Sequence, residues 1–117
     1  METVSALHAF AALSQPTRLE AFRLLIAHEP DGLAAGDLAR LLSVPQNTLS
    51  AHFNVLTRAN LVTSERRSRS IVYRAHLSTL EMLLLFLLKD CCGGRPDIRT
   101  QIFDSLTRQL SAKSRGR

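Results

Sequence analysis

A chain of 117 residues with 45% hydrophobic and 21% charged residues has the composition of one soluble globular domain. No apolar run approaches the roughly 20 residues of a membrane-spanning helix, and no basic segment precedes an apolar stretch at the N-terminus. We therefore expect a cytoplasmic protein that does not contact membranes. The formal charge of +5, carried mostly by arginine, favours a partner that bears phosphate groups.

The first part of the chain is predicted to be helical. Apolar residues recur at helical spacing over Val4–Leu13 and again over Pro16–Ala27. Pro16 suits the first turn of the second helix, because backbone N–H groups in that turn have no partner within the helix. The turn-forming residues Glu29–Gly32 end this helix.

Two further helices are predicted to be joined by a short turn. The first covers about Ala35–Leu42 and, after Ser43–Pro45, the second runs over Gln46–Ala59 and begins with polar side chains. This arrangement is typical of a helix-turn-helix, whose second helix enters the major groove of DNA. The alternative is a polar face that only meets solvent. The predicted DNA-contacting residues of this helix are Gln46, Asn47, Thr48, Ser50 and His52.

The pattern then changes to that of β-strands. Leu61–Glu65 and Ser70–Arg74 are rich in β-branched and aromatic residues, which predicts a hairpin with a basic tip at 66–69, a wing beside the helix-turn-helix. Because the tip lacks the Gly or Asn that a two-residue turn prefers, we expect a longer and more mobile loop. The arginines predicted to contact the DNA backbone or a minor groove are Arg66, Arg67 and Arg69.

A fifth helix is expected to begin at Ser78, a suitable N-cap with Glu81 three residues later, and to run toward Cys91. It is apolar nearly all round, so it must be covered on more than one side. A chain of this length offers little to cover it. We therefore predict a homodimer, with this helix and the first one at the interface.

The C-terminal part is predicted to contain one more helix and a tail. The helix covers about Ile98–Leu110 and places apolar residues on one face. The polar and basic residues 111–117 are predicted to be disordered. The predicted domain, which would bind DNA and dimerise, is therefore 1–110.

Three segments of the chain resemble the ArsR/SmtB family of winged-helix repressors. They are Leu13–Leu19 at the entry into the second helix, Gln46–Leu56 in the fourth helix, and Ala59–Val62 at the step into the hairpin. The resemblance covers about residues 5–110. It implies a mostly α protein with a small β-hairpin, a winged helix-turn-helix homodimer. Such a dimer binds a two-fold DNA operator and releases it when a metal or metalloid binds.

The cysteines of the chain, Cys91 and Cys92, are adjacent and precede two glycines. This segment resembles the arsenite site of a subgroup whose ligands follow the fifth helix, but the third cysteine of that subgroup is absent here. Thiolate is the ligand that soft trivalent arsenic and antimony prefer. Adjacent side chains of a helix diverge by about 100°, so the pair would bind one centre only where the helix ends, as the glycines allow. The alternative is that both thiols are small buried hydrophobic groups.

We therefore predict a metalloid-responsive repressor. Its inducer would be trivalent arsenic or antimony, inorganic or methylated, bound by Cys91 and Cys92, and no cofactor would be required for folding. An enzyme is disfavoured because the chain has no phosphate-binding loop and no HExxH motif, and because its histidines fall in elements assigned to other roles.

Two alternatives stay open from the sequence. One is a thiol redox or sulfide-responsive repressor of the same fold, against which the strain of a disulfide between neighbouring residues counts. The other is a winged-helix adaptor that binds protein, against which the arginine-rich wing counts.

Overall fold

The described residues of the computed structural model are 1–90 and 95–115. They divide into two units, Met1–Met82 and Leu83–Arg117. The assignment of 1–110 to a single domain stays a prediction. Cys91 and Cys92, the predicted inducer ligands, lie outside the described residues.

Four helices in the first unit agree with the sequence prediction to within one residue at each end. Gln15 caps the second of them, because its side-chain Oε1 accepts a hydrogen bond from the backbone N–H of Arg18 at 2.8 Å. Pro16 occupies the first turn, as predicted. Ser43, which follows the third helix, adopts a φ of 56° and allows the sharp turn between the third and fourth helices. The helices are α1 (Thr3–Leu13), α2 (Pro16–Ala27), α3 (Ala35–Leu42) and α4 (Gln46–Arg58).

A three-stranded antiparallel sheet follows from the hairpin and one strand that the sequence analysis missed. The hairpin strands are β2 (Val62–Arg67) and β3 (Ser70–Ala75), and the missed strand is β1 (Leu33–Ala34). The order in the sheet is β1-β3-β2, with Leu33 opposite Tyr73. Two residues are too few to show an alternating pattern, so β1 is defined only by its pairing.

The tip of the wing is tighter than predicted. Arg67 and Ser70 are the last paired residues of the hairpin, so only Ser68 and Arg69 form the turn. Ser68 has a φ of 59°, the left-handed conformation that Gly or Asn usually supplies in two-residue turns. The expectation of a longer loop was wrong because a small polar side chain occupies this position instead.

The core of the first unit joins the helix-turn-helix to the wing. Phe53 of α4 is 1% exposed, and its ring stacks on that of Tyr73 in β3 with centroids 4.1 Å apart. Because this contact connects α4 to the sheet, it fixes the direction of the fourth helix relative to the wing. The other large side chains that are fully buried are Leu25, Leu38, Leu49, Leu56 and Leu61.

The fifth helix, α5 (Leu77–Leu85), begins before the position predicted for it. Ser78 lies inside the helix and is therefore not its N-cap. The buried Thr79 holds this end of the helix, because its hydroxyl donates to the backbone oxygen of Asn60 at 2.5 Å. Asn60 has a φ of 60°, and His76 Nδ1 lies 3.0 Å from the same oxygen. The start of α5 is therefore set by the loop after α4.

Beyond α5 the chain forms a π-helical segment, and the last helix then ends later than predicted. Phe86–Asp90 form a π-helical segment, and α6 covers Pro96–Arg115. The prediction of a disordered tail over 111–117 was wrong as far as Arg115, while residues 116 and 117 lie outside the described residues. Good helix formers continue past Leu110, and no glycine occurs in the sequence between Pro96 and Gly116. Within the described ranges, none of the helices has both the length and the hydropathy to cross a membrane.

Gly32 permits the close approach of the turn after α2 to β3. Its φ is +75°, and a Cβ added there would lie 2.4 Å from the backbone oxygen of Tyr73. A residue other than glycine pays ~1–2 kcal/mol to adopt this left-handed conformation. We expect Gly32→Ala to lower the free energy of unfolding by more than that, because the clash with Tyr73 adds to the conformational cost. Urea denaturation of the purified protein measures this.

The matched control is Gly36→Ala. Gly36 lies within α3, and a Cβ there would lie 3.5 Å from Gln46 Nε2, which is ordinary contact. Alanine in a helix is favoured over glycine by roughly 0.5–1 kcal/mol, so this variant should be at least as stable as the wild type. Equal stability of the two variants would contradict the conformation described for Gly32.

Candidate nucleic-acid interface

The predicted DNA-contacting residues of α4 divide into two groups. Four are exposed in the first turns of the helix, where Asn47 Oδ1 also accepts a hydrogen bond from the Thr48 backbone N–H at 2.9 Å. Their side chains are free to contact base edges or phosphates. These four are Gln46, Asn47, Thr48 and Ser50.

His52 has a different environment. It is half-buried, and its Nδ1 lies 3.4 Å from Nη1 of Arg18 in α2. Arg18 in turn donates from Nε to the backbone oxygen of Ala12 at 2.6 Å. His52 therefore takes part in the packing of α4 against α2, and its contact with DNA stays a prediction.

The three wing arginines are exposed but differ in their partners. Arg67 donates from Nε to Glu65 Oε1 at 2.7 Å. This hydrogen bond, and next the charge of Arg67, lower the pKa of Glu65 below its usual value. The side chains of Arg66 and Arg69 have no hydrogen-bond or ion-pair partner within the part of the chain that the structure describes. Two guanidinium groups at the tip are therefore available for phosphate.

The wing and the beginning of α4 meet around one groove, called here the wing groove. Its volume is about 310 Å³, and it brings Gln46 and Ser50 together with Arg69. The sequence analysis did not select Gly36, Ser70 or Tyr73, because neither charge nor spacing distinguishes them from structural residues. The remaining lining residues are Ala35, Gly36, Ser70, Ile71 and Tyr73.

Comparison with known proteins agrees with this geometry. A family model described as a helix-turn-helix domain matches residues 13–65. The transcriptional repressor SdpR of Bacillus subtilis (strain 168) is 27% identical over 89 residues, which are 76% of this chain and 96% of SdpR.

Two solved structures extend the comparison to the fold. An ArsR-like transcriptional regulator from Rhodococcus sp. RHA1 has a TM-score of 0.62 and 28% identity, over 96% of this chain and 92% of that one. Mb0332 from Mycobacterium bovis has a TM-score of 0.61 and 21% identity, over 72% and 76%. That protein is described as a homodimeric winged helix-turn-helix DNA-binding domain of a possible ArsR-family regulator. The fold is a winged helix-turn-helix. The proteins that these comparisons match are transcriptional regulators, one of them ArsR-like, and not enzymes.

The base of the wing in this winged helix-turn-helix is held by an ion pair. Arg74 of β3 donates from Nη2 to Glu29 Oε2 at 2.8 Å, and Glu29 is only 16% exposed. The hydrogen bond to Glu29, and next its charge, raise the pKa of Arg74. Arg74 is therefore paired with the turn that follows α2 and differs in role from the arginines of the tip.

The residues that flank the thiol pair are only partly described. Arg95 donates from Nη2 to Asp97 Oδ2 at 2.7 Å, and this bond lowers the pKa of Asp97. The guanidinium of Arg95 is thus already paired with a carboxylate. Over residues 1–90 and 95–115, no three His, Cys, Asp or Glu side chains form a group that could hold a metal ion. The prediction of a site at Cys91 and Cys92 therefore rests on the sequence.

Proposed function

We propose that this protein is a homodimeric transcriptional repressor that binds a two-fold operator and releases it when trivalent arsenic or antimony binds Cys91 and Cys92. The observation that carries DNA binding is the wing groove, where polar side chains of α4 and an unpaired arginine of the wing line one surface. Helix side chains read base edges and arginines bind phosphates, so both kinds of contact are available. SdpR, similar over most of its length, is a repressor.

Dimerisation is supported by apolar side chains that the single chain leaves uncovered. On α1, Leu7 is 60% and Phe10 37% exposed, and α5 carries similar residues. Exposed apolar groups that recur on one helix mark an interaction surface. Mb0332 of Mycobacterium bovis, which has a similar fold, is described as homodimeric, and this supports dimerisation here. The other exposed apolar residues of α1 and of 82–85 are Val4, Met82, Leu84 and Leu85.

The proposed inducer follows from the chemistry of the two thiols. Soft trivalent arsenic and antimony bind thiolate in preference to oxygen and nitrogen ligands. Cys91 and Cys92 are the cysteines of the chain, so one protomer supplies at most two sulfurs to a centre. Cys91 and Cys92 follow the segment Phe86–Asp90 directly in the chain, so binding there would act on the chain beyond α5 and so affect the dimer and the spacing of its two DNA-binding surfaces.

The test of this function is operator binding by the purified full-length chain. DNA selected from a random library should contain two inverted half-sites, with centres about one helical turn apart or a multiple of it. Fluorescence anisotropy then gives the affinity, and adding the arsenical should release the DNA. Selection of no sequence over random DNA would overturn the proposal.

Replacing a wing arginine should weaken DNA binding without changing its sequence preference. We expect Arg69→Ala to lose one phosphate contact, which makes the slope of log affinity against log salt shallower by about 0.9. A fourfold rise in salt should then weaken the variant about 3.5-fold less than the wild type. Anisotropy titrations on operator and scrambled duplexes at several salt concentrations measure both effects.

Two variants serve as comparisons for the wing. Arg23→Ala removes an exposed arginine of α2 that lies outside the wing groove, and it should leave the slope unchanged. Gln46→Ala should instead alter the ranking of operator variants, because its amide can contact a base edge. An unchanged slope for Arg69→Ala would show that the wing tip does not touch DNA.

A further inference from the structure

A second groove lies at the other end of α4 and has no role in the function proposed above. Its volume is about 370 Å³, and it forms where α1, the beginning of α2 and the last turn of α4 meet. We call it the α1–α4 groove. Its lining consists of three basic side chains among alanine and valine, with no carboxylate. The lining residues are His8, Ala11, Ala12, Arg18, Val55, Arg58 and Ala59.

The basic groups of the α1–α4 groove are not neutralised by the chain. Arg58 is exposed, and neither its side chain nor that of His8 has a hydrogen-bond or ion-pair partner among residues 1–90 and 95–115. Arg18 is half-buried and uses Nε and Nη1 for Ala12 and His52, which leaves Nη2 without a partner in the same ranges. Guanidinium groups with free N–H donors form strong paired hydrogen bonds with carboxylates and phosphates.

The position of the groove separates it from the DNA-binding surface. Gln46 and Arg58 are the first and last residues of a 13-residue helix, so they lie roughly 18 Å apart along its axis. A duplex held by the beginning of α4 and by the wing therefore engages the opposite end of this helix. The α1–α4 groove therefore lies away from the wing groove, and an anion that it binds need not be a phosphate of the operator.

The groove is also separate from the side of α1 that carries Leu7 and Phe10. At 100° per residue, His8 and Ala12 leave the helix roughly 150° from the mean direction of Leu7 and Phe10. Leu7 and Phe10 can therefore meet a second copy while His8 faces another way. The basic lining further disfavours a second copy of this cationic chain as the occupant.

We propose that the α1–α4 groove binds a small amphipathic carboxylate. The carboxylate would pair with Arg58 and with the free donor of Arg18, and the apolar body would cover Ala11, Ala12 and Val55. A volume of about 370 Å³ falls within the roughly 300–1,000 Å³ of small-molecule sites, which are mostly apolar with few polar groups. This site goes beyond the proposed function, because it involves neither the thiols nor the operator.

The experiment is a calorimetric titration of the reduced full-length protein with octanoate, and with 1-octanol as the uncharged analogue. We expect saturable binding of one octanoate per chain and at least tenfold weaker binding of 1-octanol. Arg58→Gln should weaken octanoate binding at least tenfold, while Arg23→Gln, an exposed arginine of α2 outside the groove, should bind like the wild type. A Cys91→Ser/Cys92→Ser variant should also bind like the wild type, because the site does not include the thiols.

Three outcomes would overturn the proposal. Equal affinity for octanoate and 1-octanol would show that the arginines do not recognise charge. Unchanged octanoate binding by Arg58→Gln, with circular dichroism like that of the wild type, would place the ligand elsewhere. Dissociation of the dimer in step with octanoate binding, followed by light scattering, would show that a second copy of the chain normally covers the groove.

Discussion

Replacing either Cys91 or Cys92 with serine is expected to abolish release of operator DNA by trivalent arsenicals, while the affinity for DNA without inducer stays within about twofold. Both sulfurs are needed because one thiolate cannot chelate the centre, and serine oxygen is a poor ligand for a soft ion. The measurement is anisotropy of labelled operator DNA during titration with inducer. Wild-type protein and both single variants are compared at the same DNA occupancy.

The number of thiols also predicts which arsenical acts best. Inorganic arsenite prefers three sulfurs, whereas a singly methylated trivalent arsenical already carries one carbon and needs only two. Because this chain holds two cysteines, the methylated form should release the operator at least as well as arsenite. Clearly stronger release by arsenite would contradict this selectivity. The remaining explanation would be a site in which both thiols bind the arsenic of arsenite and a carboxylate, water or a small thiol supplies the third ligand.

The same titration distinguishes the arsenic proposal from its main alternative. A variant with one serine that responds normally would show that the pair is structural and that the inducer binds elsewhere. Release by persulfide or oxidant, with none by arsenicals, would identify a redox or sulfide-responsive repressor instead. Excess thiol would reverse a redox response by reducing the oxidised sulfurs of the protein. A dithiol would reverse the arsenical response by taking the arsenic from the protein, which requires no electron transfer.

The helix-turn-helix could be predicted from sequence because its signals are local. Apolar residues at helical spacing define α1 to α4, and Pro16, Gly32 and Pro45 stand at their junctions. The exposed residues at the beginning of α4 follow from the same pattern, since positions that are not apolar face away from the core. This is why the bounds agreed to within one residue.

The features that the sequence analysis missed depend on residues far apart in the chain. β1 exists because Leu33 pairs with Tyr73, and α5 begins early because Thr79 bonds to the backbone of Asn60. The contact of His52 with Arg18 joins two helices across 34 positions. No local pattern encodes these pairings. The tight wing turn was missed for another reason, since Ser68 adopts a backbone conformation that its residue type seldom takes.

The predicted dimer can be tested on α1 because the structure shows which of its apolar side chains are exposed to solvent. Leu7 and Phe10 are three residues apart, so they lie on the same side of the helix, while the buried Ala6 and Ala9 face the core. Glutamate at both exposed positions adds charge to the proposed interface without entering the core. The substitution therefore separates association from folding.

We expect the variant Leu7→Glu/Phe10→Glu to be a folded monomer at micromolar concentration, and we expect the wild type to be a dimer under the same conditions. A monomer engages one half-site at a time, so its affinity for the two-fold operator should fall by roughly 10²–10⁴-fold through loss of the linked second contact. Light scattering gives the mass, and anisotropy gives the affinity for full and half operators. Leu19→Glu is the matched control, because Leu19 is an exposed apolar residue of α2, 44% accessible, outside the proposed interface. A double variant that stays dimeric and binds the operator like the wild type would exclude α1 from the interface and leave the apolar residues of α5 as the surface to substitute next.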